Sequence, residues 1–170
     1  KLTFVGGSST SVIGLWDDLT PTANEEAHGV GYAGTPDGAA NGAASTHNIF
    51  RYDYTVMDGV ALKAGYTPSA GTAAVEGSLE YGVHYTGIDG LDLYAAMGEN
   101  NDAANSSDTS MLAAKYTMGA MTIGYQVNDT DLGTGTSDED ATMFGVSYAV
   151  SDDLSVSFNS STVDFEASTK

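Results

Sequence analysis

From residue 49 onward the side chains alternate in character with a period of two, and within the alternating runs the charges fall on one side only. In 50–56, Phe50, Tyr52, Tyr54 and Val56 alternate with Arg51, Asp53 and Thr55. In 60–67, Val60, Leu62, Ala64 and Tyr66 alternate with Ala61, Lys63, Gly65 and Thr67. The run 75–86 sets Val75, Gly77, Leu79, Tyr81, Val83 and Tyr85 against Glu76, Ser78, Glu80, Gly82, His84 and Thr86. An extended chain puts alternate side chains on opposite faces, whereas a helix repeats near 3.6, so these runs predict strands. Leu91 to Met97, Leu112 to Met118, Met121 to Val127, Phe144 to Val150 and Leu154 to Phe158 continue the pattern. With a short strand at 2–6, about nine strands of roughly 7–12 residues are expected, close to the length that crosses a bilayer at a tilt.

Arg51, Lys63 and Lys115 are three of the five basic residues, and all sit on the polar side of a strand with Asp53, Glu76, Glu80, His84 and Asp92. The opposite side of the same runs carries no charge. Either a lipid-facing barrel wall or a soluble sandwich could present such a face. Two features favour lipid. The clean face is padded with Ala, Gly and Tyr, and the tyrosines gather toward strand ends, with Tyr54, Tyr85, Tyr116 and Tyr148 near short turns and Tyr66 and Tyr125 nearer long loops. Amphipathic rings prefer the two membrane interfaces. Ordinary packing tyrosines of a sandwich are the competing reading.

The connections alternate too. Short turns at 57–59, 87–90, 119–120 and 151–153 carry the Gly and Asp of tight hairpins, and longer polar loops are expected at 68–74, 99–110 and 129–140. Short and long connections thus fall at opposite ends of an antiparallel meander, the layout of an outer-membrane barrel. Residues 7–48 differ: rich in Gly, Ala, Ser, Thr and Asn, they show no sustained periodicity. A structureless stretch of that length is usually a functional loop or a disordered one.

Charge narrows the partners. The net charge of −18 leaves no clustered basic surface for nucleic acid or an anionic bilayer surface. With no cysteine there is neither a disulfide framework nor a thiolate site. No apolar run approaches the ~18 residues of a membrane helix, which says nothing against strands that cross.

Arg51-Tyr52-Asp53-Tyr54, followed by Asp58-Gly59-Val60-Ala61-Leu62-Lys63-Ala64-Gly65-Tyr66-Thr67-Pro68, resembles the aromatic strand, glycine turn and "G-x-Y-T-P" strand end that follow the constriction loop of bacterial general diffusion porins. Glu80 to Tyr85 and Phe144 to Ala149 look like the "G-x-x-Y" strand endings of that family. The resemblance spans roughly 48–165 and rests on the ordered series of motifs.

It implies an all-β, antiparallel transmembrane β-barrel, with this chain an internal portion of a closed barrel of about sixteen strands. The domain reading is one barrel portion over 1–170, with 7–48 as a long inward loop and 49–165 as the strand meander. By resemblance the loop narrows a pore, with Asp17, Asp18, Glu25, Glu26 and Asp37 as candidate constriction acids; a solvated loop surface is the plainer alternative for each. The pore lining would be Arg51, Asp53, Lys63, Glu76, Glu80, His84, Asp92 and Lys115. Function follows as passive diffusion of small hydrophilic solutes and ions across a bacterial outer membrane, with cation preference expected because carboxylates in a low-dielectric channel concentrate cations. Outer-membrane lipid and lipopolysaccharide, and a homotrimer, are the implied partners.

Other chemistry is sparse. The histidines His28, His47 and His84 lack ligand spacing, which argues against zinc. No nucleophile elbow, phosphate loop or dinucleotide fingerprint occurs, and no enzyme or organic cofactor is expected. Asp129, Asp131, Asp138 and Asp140 supply dense oxygen ligands of the kind Ca²⁺ favours, although not at EF-hand spacing. The rival from another class is therefore a secreted acidic β-sandwich, a binding or adhesin domain with Ca²⁺-binding loops.

Overall fold

The computed structural model describes residues 1–5, 11–16, 19–21, 49–69, 71, 76–101, 106–133 and 137–167. Nine strands follow one another: β1 (Leu2–Val5), β2 (Ile49–Met57), β3 (Val60–Thr67), β4 (Ser78–Ile88), β5 (Leu91–Asn100), β6 (Ser107–Met118), β7 (Met121–Leu132), β8 (Ser137–Ser151) and β9 (Leu154–Ala167). They form one sheet in chain order. Every neighbouring pair is antiparallel. Among the described residues β1 and β9 each have one neighbour, so the sheet is open. Hairpins need a sharp reversal at their short ends. Gly59 and Gly90 supply it with φ of 75° and 74°, a region side chains with a Cβ avoid.

One face of this sheet is bare. Leu79, Tyr81, Leu112, Tyr125, Phe144 and Phe158 are all exposed, with Leu112 at 59% and Phe158 at 66%. Ile123 is exposed and Val146 half-buried, and no second sheet covers them among the described residues. A soluble sandwich would bury this face, because a contiguous apolar surface of such size is not left in water. The tyrosine placement agrees: Tyr54, Tyr66, Tyr116, Tyr125 and Tyr148 all project from this face.

Two expectations need correction. The strand read from residue 75 begins at Ser78, because Gly77 has φ of 126° and turns the chain out of extended conformation; Glu76 therefore precedes β4 as an exposed residue. The loop expected at 129–140 is mostly strand, since β7 runs to Leu132 and β8 starts at Ser137. Asp129, Asp131, Asp138 and Asp140 thus stand on paired strands, Asp129 directly opposite Asp140.

The opposite, polar face is where burial occurs. A single 3₁₀ turn, Ile13–Leu15, lies against β4 and β5. The Ser11 hydroxyl accepts the Gly14 N–H at 2.8 Å and its carbonyl accepts the Leu15 N–H at 3.2 Å, closing the turn locally. Val12, Ile13 and Trp16 pack with Tyr94, Ala96, Met111 and Ala113 into the apolar cluster, with Leu15 and Leu19 at its margin.

Candidate functional site

The site is the polar face together with the segment that crosses it. Residues 11–16 and 19–21, which belong to the 7–48 stretch, lie on this face and run from β4 toward β9. Asp17, Asp18, Glu25, Glu26 and Asp37, the candidate constriction acids, lie outside the described residues.

Polar groups of the wall hold the segment. The Glu80 carboxylate on β4 accepts the Val12 N–H at 2.5 Å. Gln126 on β7 has no solvent exposure. Its Oε1 accepts the Leu19 N–H at 2.9 Å. Its Nε2 donates to the Trp16 carbonyl at 2.9 Å and to Asn128 Oδ1 at 3.1 Å. Farther along, the Asn159 side-chain amide on β9 donates to the Pro21 carbonyl at 3.0 Å. Buried backbone groups require such partners, and here the wall's side chains provide them.

Beside the segment stands a row of charges. Asp53 on β2 receives Lys63 Nζ at 2.6 Å and Arg51 Nε at 3.4 Å. All three side chains keep partial solvent exposure, at 15–23%. One carboxylate thus lies between two cations. His84 Nε2 lies 2.9 Å from Asp92 Oδ1, and Asp92 stands opposite Lys115 in the register of β5 and β6. The His84 ring stacks on Tyr94 at 4.1 Å, and Trp16 meets Tyr94 edge-on at 5.4 Å, so the ion row and the docked segment share an aromatic boundary.

Of the expected lining residues, Arg51, Asp53, Lys63, His84, Asp92 and Lys115 share one face, as their cross-strand pairing requires. Glu80 is on that face but buried beneath Val12, where its role is to accept backbone N–H groups and not to line open water. Glu76 belongs to the long-loop end beside Gly77 and Tyr66. The four aspartates expected to hold Ca²⁺ are brought near one another but do not form a cage. Asp138 Oδ1 accepts the Leu132 N–H at 2.9 Å. Among the described residues no group of three or more carboxylate or imidazole side chains is arranged to hold a metal ion.

Gln126 and the apolar wall patch escape a reading that sorts the faces by charge alone. A signal was present nonetheless: Tyr94, Ala96, Met111 and Ala113 are apolar on the polar side, so β5 and β6 are apolar on both faces in their middles. Strands of that kind are covered twice. In this sheet the second cover is the crossing segment.

Comparison with known proteins follows the same lines. A sequence profile described as Gram-negative porin matches residues 5–170. Among solved structures, an anion-selective porin from Comamonas acidovorans superposes with a TM-score of 0.58 over 70% of this chain, at 18% identity. The chain spans 39% of the length of that neighbour, and at this identity the likeness is one of fold. No curated protein matches the chain.

Proposed function

The chain belongs to the Gram-negative porin family, an integral outer-membrane location comes with that membership, and on this premise we propose that it forms the wall of a passive diffusion channel for small hydrophilic solutes and ions. The carrying observation is the two-sidedness of the sheet: a bare face, apolar and uncharged through the strand middles with its acids confined to the long-loop end, backs a polar face crossed by the chain's own segment. An unpaired strand edge cannot face lipid, so the channel requires β1 and β9 to be paired by strands beyond these nine. Transport in this reading makes and breaks no covalent bond.

The crossing segment serves as the constriction. Residues 7–48 contain Asp17, Asp18, Glu25, Glu26 and Asp37 and no Lys or Arg. On the wall, Arg51, Lys63 and Lys115 are already outnumbered by Asp53, Asp92, Glu80 and Glu139. The loop acids then add to the uncompensated charge, and focusing of their field between low-dielectric walls favours cations. The solved neighbour is named for the opposite preference, but it supports the fold alone. Assembly as a homotrimer and contact with lipopolysaccharide extend the same reading.

Reversal potential across a bilayer in a KCl gradient tests it. Cation preference is expected, and it should fall when Asp17, Asp18, Glu25 and Glu26 are neutralised together. Anion preference in the unaltered protein overturns the sign; absence of conductance in lipid overturns the channel.

A further inference from the structure

Resting on the channel reading above, we propose that Gln126 and Glu80 are positioning residues that clamp the crossing segment into a trough of glycines, and that this seating sets the cross-section of the channel. The trough is visible in what each glycine makes room for. A Cβ at Gly82 would collide with the Trp16 ring. At Gly98 it would stand 2.9 Å from Glu80 Cγ and 3.1 Å from Ile13 Cδ1, and at Gly124 2.5 Å from Pro21 Cδ. At Gly145 it would stand 2.5 Å from Asn159 Nδ2, the amide that holds the Pro21 carbonyl, and 3.0 Å from both that carbonyl oxygen and Thr20 Cβ. These four glycines come from β4, β5, β7 and β8, and each falls on the polar face where the segment passes.

Glycine weakens a strand interior, where it packs nothing and costs backbone entropy. A wall that only needed to be polar would carry Ser, Thr or Asn at these positions. Clearance for a closely approaching segment explains the choice: at Gly82 and Gly98 it is the Trp16 and Ile13 side chains that come in, and at Gly124 and Gly145 the backbone of residues 19–21.

The trough supplies depth and the clamps supply register. Glu80 holds the start of the segment through the Val12 N–H. Gln126 holds its middle through both the Trp16 carbonyl and the Leu19 N–H. With no solvent exposure at Gln126, water cannot replace that amide without the segment lifting. Sliding the segment by one residue would break both contacts at once. Its distance from the wall, and hence the space left beside it, is thereby fixed at a single value.

Single-channel recording of the full-length protein in planar bilayers tests the proposal. The unaltered protein should give one conductance step. Gln126→Ala should lose that single step, replacing it with larger, fluctuating ones, and Gly82→Ala, which leaves both clamps in place, should do the same by displacing Trp16. Limited proteolysis of the full-length protein in detergent reads the seating independently of conductance: Gln126→Ala and Gly82→Ala should both be cut faster within 7–48, whereas Lys63→Ala, away from the segment, should be cut at the unaltered rate. A loss of barrel folding would instead appear as altered heat-modifiable migration on gels. If folded Gln126→Ala and Gly82→Ala both conduct as the unaltered protein does, or neither is cut faster, the proposal is overturned. If both are cut faster but the unaltered protein never conducts, the seating stands and the channel reading, with its cross-section, falls.

Discussion

In the middles of β4 to β6 the polar face carries Gly82, Ala96, Met111 and Ala113, all under or beside the crossing segment, whereas on β2 and β3 the same face carries Arg51, Asp53 and Lys63, which keep access to water. The two regions share a sheet, a hydrogen-bonding scheme and an orientation; they differ in side-chain size and charge. Small and apolar positions invite a second layer of protein. Charged ones exclude it, because an ion buried under Val12, Ile13 and Trp16 would lose hydration that no partner there could replace. Glu80 is the exception that shows the rule, since its burial is matched by a backbone donor. The boundary between docked segment and open wall is therefore written into alternate residues of adjacent strands.

The most severe way to break this contrast is to empty the covered region. Trp16→Ala should remove about 3–5 kcal/mol of packing, the range for a buried aromatic truncation. The loss should fall on the segment and not on the sheet, whose ladder hydrogen bonds are untouched. Limited proteolysis should then cut within 7–48 faster while heat-modifiable migration of the barrel stays unchanged. Lys63→Ala, in the uncovered region, should leave both measurements unchanged.

Next comes a test of the two faces of a single strand. Met111 is buried under the segment, and its neighbour Leu112 projects 59% exposed from the other side. Leu112→Arg should cost about 2–4 kcal/mol of folding stability in lipid vesicles, read by denaturant titration, as expected for a cation near the bilayer middle. If Leu112 instead faced water, the same substitution would be nearly neutral.

Within the uncovered region the effect moves from stability to selectivity. Asp53→Asn would leave Arg51 and Lys63 without the carboxylate between them. One unit charge at contact distance in water is worth about 1 kcal/mol, so the cation-to-anion permeability ratio should fall by roughly fivefold at most. Reversal potential in a KCl gradient reads the shift; the barrel's thermal stability should change by less than about 1 kcal/mol, as for other partly exposed ion pairs.

How far the sequence discloses this division depends on contrast. The strands were legible because Leu79, Tyr81, Ile123 and Phe144 alternate with polar neighbours, and a one-residue slip would invert the faces. Where both faces turn polar, contrast vanishes. At Asp129-Thr130-Asp131 and Asp138-Glu139-Asp140 the alternation lies between two kinds of polar side chain, and strand looked like loop. The crossing segment was legible as an anomaly of length, but its seat was not. That seat depends on single residues, Gln126, Glu80 and glycines on separate strands, which only the register of the sheet brings into line. Trp16, one aromatic in an irregular stretch, carries no periodic signal of what it packs against.

The smallest effect should come from the strand ends, and it separates two adjacent carboxylates. Glu139 pairs with Thr130 and so falls on the polar face, while Asp140 pairs with Asp129 and falls on the outer one. Asp140→Asn should leave the permeability ratio unchanged at every salt concentration, because its charge is divided from the channel by the wall itself. Glu139→Gln should lower cation preference slightly at low salt and not at about 0.15 M, where the screening length of about 8 Å is shorter than the distance from the strand end to the clamp residues deeper in the wall. Equal shifts from the two substitutions would mean that the faces are not separated at this end. The sheet would then have lost its two-sidedness before the long-loop mouth, and the contrast between covered and uncovered wall would be confined to the strand middles.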